Sequence, residues 1–199
     1  MTISFTETFS SFTPSATGWQ DYDLYTNKGV PTGAIAHIAI ASYSSSTDVT
    51  VGVRTDGSSL NRYIKLSRVS ISNGNNIFST YVKCDSSTGK IEIYSSSTSK
   101  VNFYLLGYWE GVDYTELFTQ ITTSTTFAWT DSDVYTNQSI PKGSAIDVCL
   151  AHYDDVAANY IGIRTDASSL DRRLYFDSLS LTASDDSCIS AEMLVKSNI

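Results

Sequence analysis

The sequence predicts an all-β chain made of two tandem homologous antiparallel β-sandwich domains of jelly-roll-like type, residues 1–110 and 111–199. Three observations predict it. An internal repeat aligns residues 19–66 on 129–176 without a gap at an offset of 110, with 18 identities in 48 positions. Apolar residues recur with period two through most of the first copy. Ser, Thr and 13 Tyr crowd short, turn-bounded segments, a composition that suits strands better than helices.

The shared positions show what repeats. Trp19, Asp21 and Asp23 recur as Trp129, Asp131 and Asp133, and Tyr25-Thr26-Asn27 recurs as Tyr135-Thr136-Asn137. Pro31, Gly33 and Tyr43 recur as Pro141, Gly143 and Tyr153. The longest shared stretch is GVRTDGSSLNR at residues 52–62 against GIRTDASSLDR at 162–172. Upstream, FTETFSSF at 5–12 matches YTELFTQI at 114–121 with the offset reduced to 109, so the following loop gained one residue. The chain is therefore a tandem duplication of a unit of about 110 residues, an ordinary domain size. The linker, residues 110–112, is short enough to restrict how the two units are oriented.

Residues 35–43 alternate, with Ala36, Ile38 and Ile40 on one face and His37 and Ala39 on the other, and Ile146, Val148 and Leu150 repeat the pattern. Val49, Val51 and Val53 continue it, matched by Asn159, Ile161 and Ile163. Arg54-Thr55-Asp56-Gly57 then carries turn chemistry, and residues 35–43 and 49–53 are expected to pair as an antiparallel hairpin. Residues 77–84, 91–94 and 101–109 supply three more strands between clusters such as SNGNN and SSSTSK. Seven or eight short strands in one unit point to a sandwich. In residues 101–109, Val101, Phe103 and Leu105 alternate with Tyr104 and Leu106, so both faces are apolar. Such a strand is central or lies at an interface, and Tyr104, Leu106, Tyr108 and Trp109 are the candidate interface residues.

The second copy departs from the first, for nothing in it matches GKIEIYSSSTSKVNFYLLGYW at residues 89–109. Three arrangements are open: the missing strands lie further along a longer polypeptide, a neighbouring molecule donates a strand, or residues 183–199 fold back in their own way. The tail does echo the first copy, LVKSN at 194–198 against YVKCD at 81–85. A unit lacking the 101–109 strand is expected to expose an apolar groove, which is a site of association.

Charge and motifs exclude several functions. Thirteen Lys and Arg against 21 Asp and Glu leave a formal charge of −8, which argues against a nucleic-acid partner. No apolar run is long enough for a transmembrane helix. Cys84, Cys149 and Cys188 are odd in number and widely spaced, which predicts buried thiols rather than a disulfide framework or a zinc site. His37 and His152 do not occupy matching positions, and no GxSxG, phosphate-loop or dinucleotide motif is present. A non-enzymatic protein with no catalytic residue is expected.

The repeated pairs Asp21/Asp23 and Asp131/Asp133 are candidate calcium ligands, since hard cations gather loop oxygens. The preferred reading is structural, with these carboxylates solvated or paired with Arg54, Arg62, Arg164 or Arg172. The RTDxSSLxR block likewise reads as a turn whose Arg reaches Asp21 or Asp23, in preference to a fork for a carboxylate or a sugar diol. Asp154-Asp155 and Asp185-Asp186 read as acidic loop tips. Several of Trp19, Tyr22, Tyr25, Tyr43, Tyr63, Tyr81, Tyr94, Tyr108 and Trp109 are expected to face outward, where flat rings stack on sugars or anchor protein interfaces. Recurrence of Trp19 as Trp129 favours a core or domain-junction role for that pair.

GVRTDGSSLNR, GKIEIYSS and FYLLGYW, with the tandem arrangement, make residues 19–109 and 129–180 resemble β-sandwich modules of structural proteins in tailed bacteriophages and related viruses. These motifs are structural and carry over no catalytic residue. The resemblance implies a virion component, such as a capsid-decoration, neck or tail-associated protein, that contacts itself and other structural proteins as a homo-oligomer. Assembly in a host cytoplasm fits the opening MTISFTETFSSF, which has neither the basic nor the apolar region of a secretory signal. The second expectation is a carbohydrate-binding or adhesive module of an extracellular protein, possessing calcium-assisted loops.

Overall fold

The computed structural model describes residues 2–68, 76–119, 121, 129, 131–152, 159–171, 173–176 and 189–196. Tyr153, Asp154, Asp155, Arg172, Asp185, Asp186 and Cys188 lie outside the described residues. The fold is all-β. Among the described residues of the first copy there are eight strands: β1 (Ser4–Phe12), β2 (Gly18–Asp23), β3 (Ile35–Ser42), β4 (Val49–Thr55), β5 (Tyr63–Leu66), β6 (Asn76–Lys83), β7 (Lys90–Ser95) and β8 (Val101–Glu110). They form two antiparallel four-stranded sheets in the orders β1-β8-β3-β6 and β2-β7-β4-β5.

The two sheets pack face to face because each presents one apolar row. Ala36, Ile38 and Ile40 of β3 and Val101, Phe103 and Leu105 of β8 meet Val49, Val51 and Val53 of β4 and Ile91 and Ile93 of β7 in one buried cluster. Each large aliphatic or aromatic side chain in it contributes about 1.5–3 kcal/mol by leaving water. The expectation for residues 101–109 holds in its first form: β8 is central, bonded by β1 on one edge and β3 on the other.

One pairing expected from the sequence is corrected. β3 and β4 are not a hairpin, for β3 belongs to the first sheet and β4 to the second. Period-two alternation marks the buried face of each strand, but two consecutive strands bury their rows equally well side by side or across the core. Only β4 and β5 are consecutive strands that hydrogen-bond each other among the eight; every other connection crosses between sheets. Thus β7 and β8, adjacent in sequence, enter different sheets and sit in the middle of both.

The second copy reproduces half of this plan. The five-residue helix α1 (Leu24–Lys28) recurs as α2 (Val134–Gln138), followed by β9 (Ala145–His152), β10 (Asn159–Gly162), β11 (Arg173–Phe176) and β12 (Ile189–Lys196). Loop bonds repeat as well: Ala34 N–H donates to Pro31 O and Ser144 N–H to Pro141 O, both at 3.2 Å. β10 and β11 pair Gly162 with Arg173 just as β4 and β5 pair Gly52 with Tyr63. β9 pairs with β12, Ile146 opposite Val195, as β3 pairs with β6, Ala36 opposite Val82. The echo of YVKCD in LVKSN therefore marks a β6 counterpart. Residues 113–119 and 131–133, whose first-copy matches lie in β1 and β2, carry no strand. The reason is topological, since β1 bonds only to β8 and β2 only to β7.

Candidate functional site

The second aspartate of each D-x-D pair acts locally. The Asp23 carboxylate caps α1: its Oδ1 accepts from Thr26 N–H at 2.7 Å and its Oδ2 from the Thr26 hydroxyl at 2.8 Å. Asp133 caps α2, accepting from Thr136 N–H at 2.9 Å. Both carboxyls are held below the usual carboxylate range, Asp23 first by the Thr26 N–H and Asp133 first by the Thr136 hydroxyl. Asp21, on the outer face of the second sheet, accepts from Lys90 Nζ at 3.3 Å, while Asp131 is exposed. Among the described residues no group of three or more His, Cys, Asp and Glu side chains is gathered as metal ligands would be.

The Arg partners differ from the expected ones. Arg54 reaches neither Asp21 nor Asp23; it binds Glu92 of β7 through two bonds, Nε to Oε2 at 2.7 Å and Nη2 to Oε1 at 3.1 Å. Its Nη1 donates to Leu60 O at 3.0 Å and its guanidinium lies 4.1 Å over the Trp19 ring. Glu92 escaped the sequence reading because it is 38 residues away and becomes a neighbour only through the register that sets Arg54 opposite it.

Trp19 lies on this outer face rather than in the core. The registers place Trp19, Tyr94, Gly52 and Tyr63 in one row across β2, β7, β4 and β5. Tyr94 packs on Trp19 with centroids 5.3 Å apart and on Tyr63 at 5.1 Å. Gly52 leaves the room that lets β5 approach, because a Cβ there would sit 2.1 Å from the Arg62 carbonyl oxygen. Of the nine rings among which several were expected to face outward, Tyr22 and the candidate interface residue Tyr108 pack against the core cluster.

The outer face of the first sheet carries the other candidate residues. Tyr104 stacks with Phe9 at 5.6 Å, and Trp109 packs against Phe5 at 4.7 Å. Phe9 is 74% exposed. The Phe5 ring covers Gly107, where an added Cβ would come within 2.4 Å of it. A bulge in β8 between Leu105 and Gly107 takes Leu106 out of the register with β3, leaving it half-buried. Phe5 and Phe9 were missed because β1 reads as a Ser/Thr-rich segment whose alternation breaks where its own register slips, between Glu7 and Ser10.

A polar cluster joins the two copies. Arg62 Nη1 meets Glu116 Oε1 at 2.9 Å with both side chains nearly buried, and Glu116 Oε1 also accepts from Thr55 N–H at 2.9 Å. The Tyr114 hydroxyl donates to Tyr81 O at 2.8 Å, and Thr80 of β6 donates to Asp147 of β9 at 3.3 Å. Burial works against the Arg62 charge, but Tyr114 and Glu116 outweigh it and leave its pKa raised. Burial raises the Tyr114 pKa as well. The buried Cys84 thiol is pushed up to about 12 by desolvation, whereas Cys149 is exposed. No protein-family model, curated protein or solved structure matches the chain.

Proposed function

We propose that the protein is a non-enzymatic structural component that acts through protein–protein contacts, as a capsid-decoration, neck or tail-associated part of a virion. It is read as two tandem jelly rolls, residues 1–110 and 111–199; the strand orders and the crossings between sheets support that for the first unit. The observation that carries the function is the aromatic strip on the outer face of the first sheet, Phe5 with Trp109 and Phe9 with Tyr104. Rings standing on a strand lattice, with Phe9 74% exposed, form a rigid apolar patch of the sort that anchors interfaces. The formal charge of −8 disfavours nucleic acid and supports a protein partner or a further copy of the chain.

Light scattering on the purified chain, with sedimentation alongside virion particles, tests this. Association that Phe9→Ser and Tyr104→Ser weaken together supports the reading; a monomer at high concentration that stays out of the particle fraction overturns it. A second reading, a carbohydrate-binding module, draws on the row Trp19, Tyr94 and Tyr63. Those ring faces are partly taken up by one another and by Arg54, so the row supports sugar stacking less well. Glycan-array binding, with and without calcium, that Tyr63→Ala abolishes would favour it.

A further inference from the structure

The second copy keeps one half of the sandwich, and the first copy shows what the other half supplies. β3 is bonded on both edges, by β6 and β8, and β4 on both edges, by β5 and β7. β9 is bonded by β12 and β10 by β11, while no described strand bonds their remaining edges. The apolar rows respond accordingly: Ile38, Val51 and Val53 are 0%, 0% and 1% exposed, but their counterparts Val148, Ile161 and Ile163 are only half-buried.

Arg164 specifies the chemistry of the missing strand. Its guanidinium lies 4.2 Å over Trp129, against 4.1 Å for Arg54 over Trp19. Its Nη1 donates to Leu170 O, as Arg54 does to Leu60 O. Arg54 has a third partner, the Glu92 carboxylate of β7, and Trp19 has the Tyr94 ring two residues further along that strand. Among the described residues Asp171 acts on Arg164 through charge, but no carboxylate forms a hydrogen bond with it, and no ring packs on Trp129 at the place of Tyr94. The sequence also keeps matches to β1 and β2 at residues 114–121 and 129–133, segments whose first-copy partners are β8 and β7.

We infer that the second unit binds a two-stranded segment of β7–β8 type, one strand entering each sheet. The segment places a carboxylate on Arg164 and, two residues later, an aromatic ring on Trp129. The inference rests on the assembly reading and names the partner chemistry of that assembly. An exchanged β7–β8 segment from a second copy is a poor donor, since it would open one unit for every unit it closed.

The probe is a synthetic peptide of residues 89–110 with Trp109 replaced by Phe and two lysines added at each end, titrated into the full 199-residue chain while its tryptophan fluorescence is followed. A saturable response at one peptide per chain that Trp129→Phe abolishes and Trp19→Phe leaves intact is expected. Arg164→Glu should weaken binding at least about tenfold, and a Glu92→Arg peptide should recover it on that variant, because the charge pair is then restored with reversed sign. No saturable binding, a response that survives Trp129→Phe, or indifference to Arg164→Glu overturns the inference. Failure here leaves the strip of Phe9 and Tyr104 standing, since the light-scattering test decides that reading separately.

Discussion

Ser139 and Ala167 adopt left-handed backbone conformations, φ 57° and 59°, at the positions where the first copy has Gly29 and Gly57 at φ 70° and 76°. A Cβ in that region crowds the following carbonyl at a cost of roughly 1–2 kcal/mol, partly offset by the flexibility glycine adds to the unfolded chain. Ser139→Gly and Ala167→Gly should each stabilise the second unit by about 0.5–1 kcal/mol, measured by urea unfolding. The carboxylates respond to pH. Asp23, Asp85, Asp133 and Asp171 are held below the ordinary range in the folded chain, so their stabilisation is present above the unfolded carboxylate pKa and is lost as pH falls through the lowered values. A Tm that falls with acidification, less steeply in Asp23→Asn with Asp133→Asn, is the expected profile. Calcium should leave that Tm unchanged, as both Asp23 oxygens accept hydrogen bonds from Thr26; a calcium-induced rise that Asp23→Asn removes would support the metal reading. The sequence exposed these aspartates as a repeated pair, but D-x-D spacing is the same for a helix cap and an ion ligand. The three-residue reach to Thr26 and Thr136 shows the capping use of Asp23 and Asp133.

Among elements, the strands themselves were legible and their partners were not. Alternation located residues 35–43, 77–84, 91–94 and 101–109 to within two residues of β3, β6, β7 and β8. Which sheet each joined depended on crossings that leave no local trace, and so β3 and β4 read as a hairpin. Glycine supplies one exception visible only in register. Gly52 lies opposite Tyr63, and a Cβ there would press on backbone rather than on a movable side chain. Gly52→Ala should therefore pry β5 from β4 and cost about 1–3 kcal/mol in urea unfolding, whereas an alanine at exposed Gly57 meets nothing within 4 Å and is limited to the backbone strain of its positive φ. The central strands should be the most sensitive. Leu105→Ala empties space between two sheets and should cost about 2–5 kcal/mol, while Val148→Ala, at the half-buried β3-like position of β9, should cost less.

At the scale of the whole molecule, the duplication was the most legible feature, and the contact that ties its copies together was the least. Tyr114 and Glu116 belong to the stretch that matches β1, yet they lie against Arg62, Thr55 and Tyr81 of the first copy. Nothing in YTELFTQI distinguishes a strand residue from a junction residue, because the distinction comes from the missing β8 counterpart, which leaves the segment without a ladder. The junction is polar and nearly dry, with the Arg62 and Glu116 side chains 12% and 10% exposed. Two charges there repay their desolvation only while both are present. Glu116→Ala should strand the Arg62 charge and remove the acceptor of Thr55 N–H, costing about 3–5 kcal/mol. Replacing both partners, Arg62→Met with Glu116→Leu, should recover much of that loss, since no unpaired charge remains. Urea unfolding followed through tryptophan fluorescence separates the outcomes. A single mutant as stable as the parent would mean that solvent reaches Arg62, and a double mutant no better than Glu116→Ala would mean that the cost lies in the lost bond to Thr55 rather than in the buried charge.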